Sequence, residues 1–515
     1  MSTADVYGRA RVPLVTPAGA AEADRLAQTR FGVPERVLME NAGSAAALVL
    51  QRLYPDGRVV GIAGSGNNGG DLLVMLRTLH GWGRDVCMIP IGSTAPDAAL
   101  AHAAQIPTVT QDADARTSLA HADVVVDGML GTGADGAPRG RVAEWIGLLN
   151  ATPRPVLALD LPSGVDAGTG HVDGVAVRAD ATVCFGWPKL GLMLQPARAH
   201  CGHIYAVEIG FPAGCLEPTA WAITPGLVRD RLRERAPDAH KGSAGRLLAL
   251  AGSDGMAGAA ALTVGAALRA GAGLVRVAST PGNRAILQTL VPEATFLDAA
   301  SIERDDVEPM HAVVAGTGLG TRPAAAAALA RVLELTGDTP LLLDADALNI
   351  LARDDGALAT LGAGRALIIT PHARELHRLT GTPIDEILAD PVGAARAAAA
   401  AFHCIVLLKG QPSLVAAEDG TMFVNTTGSS DTAAAGMGDQ LAGTIAALLA
   451  GAAEPLDAAV IGLFLSGRAA DLAARGRALS PRDVTECMHD AFARPGTTEP
   501  VLDLPFIEFS QPPRR

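Results

Sequence analysis

The run Gly436-Met437-Gly438-Asp439, followed directly by the apolar stretch from Gln440 to Leu449, holds the residue types that phosphoryl transfer needs. Two glycines let the backbone bend tightly and turn amide N–H groups into one hollow. The apolar stretch reads as a buried helix, which places the hollow at a helix N-terminus, where phosphate is favoured. Asp439 then stands beside a phosphate with a carboxylate free to take a proton from an alcohol. Gly and Asp also cap ordinary helices, so this string gains meaning only from the motifs around it.

A second set of chemistry-bearing residues lies near the start of the chain. Gly64-Ser65-Gly66-Asn67-Asn68-Gly69-Gly70-Asp71 precedes an apolar helix from Leu72. Its glycines permit close backbone approach to a ligand phosphate, but the Asn and Asp residues depart from the usual dinucleotide fingerprint. Asn side chains offer neutral oxygens, which suit a hard monovalent cation or a sugar hydroxyl. Asp127-Gly128-Met129-Leu130-Gly131-Thr132-Gly133 and Asp160-Leu161-Pro162-Ser163-Gly164-Val165-Asp166 each put a carboxylate where an apolar run meets a turn. One such Asp is commonly a turn cap, but three on one sheet edge point to a ligand site.

The elements that must hold these loops follow one grammar: a short β-branched run, a loop with Gly or Asp, then an Ala/Leu-rich helix. Strands are predicted at 58–63, 85–90, 123–127, 155–160, 181–185 and 204–209, and again at 246–251, 312–315, 340–344, 366–370 and 404–408. Apolar strands alternating with helices predict parallel sheets covered on both faces, an α/β fold. Ligands then bind beyond the strand C-termini, where the loops above fall. Residues 212–240 are rich in Pro and charge, which places a boundary near 217–224. We expect domains at 1–220 and 221–495, with a loose tail at 496–515.

A length of 515 residues with 49% apolar content supports large cores in two or more domains. The formal net charge of -13 argues against nucleic acid and acidic membranes as partners. Six scattered cysteines without a C-x-x-C pair fit reduced cytosolic thiols. No signal-peptide pattern and no apolar run of membrane length is read, so the expected setting is cytoplasmic.

The motifs LMENAG (38–43), SGNNGGD (65–71), VVVDGMLGTG (124–133), LDLPSGVDAGTG (159–170) and FGWPKLGL (185–192) resemble, in order and spacing, the NAD(P)H-hydrate epimerase family. The resemblance covers about residues 15–215. It implies a Rossmann-like domain with a potassium ion held by Asn68, Asp127 and Ser163, and Asp160 as catalytic acid/base. It also implies a substrate lining of Asn67, Asn68, Gly69, Gly70 and Asp71, together with Gly131, Thr132, Gly133, Ala134, Asp135, Gly136 and Ala137. Leu72 stands where that family usually has Gly, and is expected to tighten the loop.

The second half carries His240-Lys241-Gly242, Gly316-Thr317-Gly318, Asp344-Ala345-Asp346-Ala347-Leu348-Asn349, Thr370-Pro371-His372, Lys409-Gly410 and the Gly436–Asp439 run. This succession, over about residues 225–490, resembles the ADP/ATP-dependent NAD(P)H-hydrate dehydratase family of the ribokinase-like fold. It implies Asp439 as base and substrate contact, and Ala260, Gly318 and His372 as further substrate contacts. It implies a nucleotide held by Lys409, Gly410, Gln411, Pro412, Ser413 and Gly438. The nucleotide expected is ADP, with ATP as the alternative, together with magnesium. Ala373-Arg374 and Ser429–Thr432 depart from the family pattern, and Asp431 would weaken nucleotide binding if it pointed inward.

Three functions are weighed on these residues. The first is a fused enzyme that repairs hydrated NADH and NADPH, an epimerase joined to a dehydratase, self-associating as families with such sheets usually do. The second is a ribokinase-like kinase of a small vitamin-type alcohol. The third is a non-catalytic dinucleotide-binding protein with drifted sites.

Overall fold

The computed structural model describes residues 11–91, 104–354, 356–496 and 506–508. The chain divides into two compact units, one reaching from the N-terminus to Trp221 and including the C-terminal stretch from Thr498, the other Ala222–Thr497.

In the first unit the strands are β1 (Val59–Ala63), β2 (Val86–Pro90), β3 (Val124–Gly128), β4 (Val156–Leu159), β5 (Ala181–Phe185) and β6 (His203–Val207). They lie in the order β6-β5-β4-β3-β1-β2, all parallel. Side chains alternate between faces along a strand, so each β-branched run feeds two cores. Val59, Ala63, Val124 and Val126 enter one core, with Leu50, Leu72 and Leu76. Val60, Ile62 and Val125 enter the other, with Trp145 and Ile146. The first core is closed by α1 (Glu35–Leu53) and α2 (Asn67–Gly81). The opening Asn-Asn-Gly-Gly-Asp of α2 is a poor helix former; Leu72, Leu73, Met75, Leu76 and Leu79, all buried, hold it. Each such side chain contributes about 1.5–3 kcal/mol by leaving water. The strand order reverses between β1 and β3, which opens a crevice at their C-terminal ends.

A short strand, Phe506–Glu508, pairs antiparallel with β6. The expectation of a loose tail therefore does not hold for these three residues; residues 497–505 and 509–515 lie outside the described residues.

The second unit contains β7 (Arg246–Leu250), β8 (Leu274–Ser279), β9 (Thr295–Asp298), β10 (Ala312–Ala315), β11 (Leu341–Leu343), β12 (Leu367–Ile369), β13 (Ile405–Leu408), β14 (Leu414–Ala416) and β15 (Met422–Val424). They follow the order β15-β14-β13-β12-β11-β10-β7-β8-β9. Pairing is parallel from β13 through β9 and antiparallel for the hairpins β13–β14 and β14–β15. The sheet is therefore mixed, not wholly parallel as the pattern predicts, and β8, β9, β14 and β15 are additions to the predicted strands. Helices α3 (Ala257–Arg269) and α5 (Met437–Ala450) pack closely; a methyl group on Gly443 of α5 would meet the Thr263 carbonyl oxygen at 2.0 Å. The Ala- and Gly-rich sequence is what permits that approach. Among the described residues no helix is long and apolar enough to cross a membrane.

Candidate active sites

In the first unit the loops after β1, β3 and β4 converge. Gly64 leaves β1 so close to the next strand's loop that a methyl group there would sit 1.8 Å from the Met129 carbonyl oxygen. Asp127 at the end of β3 is fully buried. Its Oδ1 accepts from Ser163 Oγ (2.7 Å) and the Met129 amide (3.1 Å), and its Oδ2 from the Ser163 amide (2.8 Å). Burial nevertheless pushes this carboxyl up to about 6, against the pull of the Ser163 and Met129 donors. Asn68 Nδ2 donates to the Leu130 (2.7 Å) and Leu159 (3.0 Å) carbonyls, which ties α2 to both other loops. Asn68 Oδ1 is buried and has no partner. A buried carbonyl without a partner, and a buried carboxylate without a cation, are both costly unless a ligand supplies what is missing. The three residues expected to hold potassium are thus brought together, and their chemistry fits a hard monovalent ion.

Asp160 follows β4 with φ of +64°, in the left-handed region that non-glycine residues rarely enter. This bend turns its carboxylate back toward β5. Oδ1 accepts from the Phe185 amide (3.2 Å) and from Lys189 Nζ, a close ion pair. Lys189 is only 3% exposed and also donates to the Phe185 carbonyl (3.2 Å). Burial works against its charge, but Asp160, Cys184 and Asp24 more than offset this and hold the ammonium above the usual lysine range. Lys189 is a residue to which sequence reasoning gave no role. The signal lay inside FGWPKLGL, where a lysine among apolar residues must find a buried acid.

The rest of the expected lining divides. Gly131 lies over Asn68, 3.3 Å from its Cβ to a methyl built on the glycine. Asp71 is 9% exposed, and burial and then the Asp160 charge push its carboxyl well above the usual range. Asn67 turns outward to Glu35 Oε1 (2.7 Å). Residues 133–136 are exposed, with Thr132 and Ala137 half-buried. Leu72 packs beneath the loop, filling the space next to Gly61 and Gly128.

In the second unit the site gathers at the ends of β11, β12 and β13 and the start of α5. The first intrahelical bond of α5 runs from Gln440 to Gly436 (3.1 Å), so the amides of Gly438 and Asp439 precede it. A methyl group on Gly438 would lie 3.4 Å from Lys409 Nζ and 3.7 Å from Asp344 Oδ2. Lys409 Nζ bonds Asp344 Oδ1 (2.6 Å) and lies 3.8 Å from Glu375 Oε2. Burial opposes its charge, but Asp344, Glu375 and Asp439 hold it above the ordinary value. Asp439 is half-buried. Burial first, then Asp344, and lastly Asp346 push it up to about 7, with Lys409 opposing. The site therefore holds an amide-lined helix start, one ammonium and a carboxyl that changes charge near neutrality.

His372 caps α4 (Ala373–Thr380): Nδ1 accepts from the Arg374 (3.1 Å) and Glu375 (3.2 Å) amides, and Glu375 Oε2 accepts from the His372 amide (2.9 Å). Its backbone bridges to Lys409. The departure at Ala373-Arg374 leaves this cap intact. Asp346 organises a loop, accepting from the Gly320 amide (2.8 Å), while Ala345 between the two acids has φ of +49°. Gly318 shares that loop, its carbonyl accepting from the Ser253 amide (2.6 Å). Gly410 and Ser413 bond each other across the β13–β14 turn that holds Gln411 and Pro412. Ala260, expected to touch substrate, is fully buried beneath Gly252 and presents no surface. Glu375, buried and facing Lys409, had no expected role; a helix-cap acid looks ordinary in sequence. Asp431 sits half-buried in the turn Ser430–Thr432.

A family model described as NAD(P)H-hydrate dehydratase matches residues 247–489, and one described as YjeF-related protein N-terminus matches residues 35–191. The bifunctional NAD(P)H-hydrate repair enzyme Nnr of Moorella thermoacetica is 35% identical over 497 residues, covering 90% of this chain and 93% of that protein. The enzyme of the same name from Escherichia coli K12 is 36% identical over 461 residues, covering 88% of each. Among solved structures, the ADP/ATP-dependent NAD(P)H-hydrate dehydratase of Bacillus subtilis, co-crystallised with ATP and Mg2+, is 30% identical, covering 53% of this chain and 97% of that one, with a TM-score of 0.48. A ribokinase-like superfamily protein of Enterococcus faecalis shares the fold of the second unit at 24% identity, covering 54% and 96%, with a TM-score of 0.50. With both halves matched in order and the full-length relatives aligned over nearly the whole chain, the protein belongs to the family of bifunctional NAD(P)H-hydrate repair enzymes.

Proposed function

We propose that this chain repairs hydrated NADH and NADPH at two sites. The first unit interconverts the R and S hydrates at C6, and the second dehydrates the S hydrate at the expense of a nucleotide. The observation that carries this reading is the presence of two separate carboxylate sites, Asp160 with Lys189 and Asp439 with Lys409, one per unit.

The damaged ring carries a hydroxyl on the carbon beside the ring nitrogen. Protonation of that hydroxyl lets water leave as the nitrogen pair forms a C6–N iminium bond. Water returns to either face and gives its proton back to the enzyme. Asp160 is the catalytic carboxylate beside this cation, and Asn68 and the loop 131–137 hold the dinucleotide. Asn68, Asp127 and Ser163 would hold potassium, which would fix the three loops and neutralise the buried Asp127 charge.

In the second unit Asp439 takes the hydroxyl proton while the oxygen attacks the terminal phosphorus of ADP; AMP leaves. Gly438, Lys409 and the turn 410–413 steady the transferring group, and magnesium bound to the nucleotide would share its charge. The ring nitrogen then expels phosphate, and loss of a proton from the adjacent carbon restores the dihydronicotinamide. ADP is the favoured nucleotide, with ATP fitting the same hollow. Lys409, standing beside Asp344 and Glu375, leaves little charge to spare for a further phosphate. Self-association and a cytoplasmic setting complete this reading. The six free thiols are consistent with the latter.

The test is incubation of S-hydrated NADH with ADP while reduced-nicotinamide absorbance is followed. The reading expects absorbance to return with one AMP and one phosphate per NADH. A vitamin-alcohol kinase returns none, and a binding protein leaves ADP intact.

A further inference from the structure

The mechanism in the first unit needs one group that gives a proton and a charge that steadies the cation, and the structure holds two acids there. We propose that Asp71 is a second catalytic residue of the first unit: the carboxylic acid that protonates the departing hydroxyl, while Asp160, clamped by Lys189, remains the carboxylate facing the iminium ring. This rests on the epimerase reading of the unit and assigns its two roles to two side chains.

The asymmetry between the acids is geometric. Asp160 Oδ1 accepts from Lys189 Nζ and the Phe185 amide, so that oxygen is fixed by an ammonium and an N–H. Asp71, equally buried at 9% exposure, carries no hydrogen bond to its carboxyl among the described residues and no cation of its own. A buried carboxyl without a hydrogen-bond donor or cation holds its proton more tightly than one clamped by an ammonium. The other charged groups that act on Asp71 are three acids and one ammonium. Asp24 and Glu35 add to the negative charge of Asp160 at Asp71, and Lys189 opposes them more weakly than burial or Asp160 acts. Burial, with Asp160 next, holds the Asp71 carboxyl well above the usual carboxylate range, so it keeps a proton to give.

The step balances. The Asp71 proton passes to the C6 hydroxyl, the C6–O bond breaks, water departs, and the nitrogen pair completes the iminium bond. Re-entering water forms the new C6–O bond on the opposite face and returns one proton to Asp71. Asp160, held by Lys189 and the Phe185 amide, takes no part in the proton transfer.

The test follows interconversion of R- and S-hydrated NADH by chromatography, without ADP, across the pH range. The wild-type rate is expected to fall at the alkaline end as the donor loses its proton. Asp71→Asn, nearly isosteric, is expected to lose roughly 100-fold or more in kcat with KM within about threefold, and to lose that alkaline fall. Asp71→Glu should recover part of the rate and the fall. Lys189→Met removes the ion pair that holds Asp160 and should lower kcat, and Lys189→Arg should keep most of it. Dehydration by the same chain and an unchanged thermal transition of the first unit report folding. Near-normal kcat in Asp71→Asn, or a KM rise that accounts for its loss, makes Asp71 a binding residue only and overturns the proposal. If wild-type protein fails to interconvert the epimers, the epimerase reading itself falls.

Discussion

At the residue scale the most consequential group is Asp439, whose carboxyl is pushed up to about 7 by burial and by Asp344, against Lys409. A general base works as the carboxylate, so dehydration kcat/KM should climb with pH, bend at about 7 and level above it. Asp344→Asn removes the negative charge that acts most strongly on Asp439 and should move the bend to lower pH. Lys409→Met removes the opposing cation and should move it higher. A flat profile through neutrality in wild type would show that Asp439 is not the base. Asn68 makes a separate residue-scale prediction. On the proposed potassium site its orphaned Oδ1 joins the cation, so potassium at one hundred times its dissociation constant should stabilise the first unit by about 2.7 kcal/mol. That raises its thermal midpoint by roughly 5–10 °C over a tetramethylammonium buffer. Asn68→Ala should abolish the response; calorimetry reads both. Of these residues, the carboxylates at strand ends were legible in the sequence because apolar runs stop at them. Lys189 and Glu375 were not, since their partners lie 29 and 34 residues away, a separation that spacing alone does not connect.

At the element scale the amide hollow depends on how α5 begins. Gly436 has φ of +87°, and a methyl group there would meet Leu262 Cδ1 at 2.6 Å. Gly436→Ala combines backbone strain of about 1–3 kcal/mol with that clash. It should lower the melting transition of the second unit and cut dehydration more than tenfold while epimerisation persists. Unchanged dehydration would mean the hollow is not where phosphate binds. The long apolar strands were readable from β-branched runs, and with them the loops that hold both sites. The strand Leu274–Ser279 was not, because Arg276 interrupts it; that guanidinium stays half-buried and reaches the Asp306 carbonyl (2.8 Å). Leu414–Ala416 and Met422–Val424 are three residues each, too short to show a period, and exist because neighbouring strands pair with them. Ala260, a substrate contact by the resemblance alone, packs under Gly252 with its surface covered.

At the scale of the whole molecule the chain is two compact units, each with its own proposed catalytic acid, Asp160 in the first and Asp439 in the second. Damage to one should therefore spare the other. Asp160→Asn should remove epimerisation and leave dehydration of the S hydrate within about twofold, and Asp439→Asn should do the reverse. Loss of both activities from either change, in a folded protein, would contradict the two-site account. The division near residues 221–222 lies inside the Pro- and charge-rich stretch that composition marks. The return of Phe506–Glu508 to the first sheet has no such mark, because edge pairing of a three-residue strand is decided by the strand it meets.

The most direct measurement starts from R-hydrated NADH alone, given excess ADP, with absorbance of the reduced nicotinamide followed to completion. The account predicts full recovery by the wild-type chain, none beyond the uncatalysed rate by Asp160→Asn, and recovery restored when Asp160→Asn and Asp439→Asn proteins are mixed. Recovery from the R hydrate by Asp160→Asn alone, or a wild-type reaction that leaves the R hydrate untouched, would contradict it.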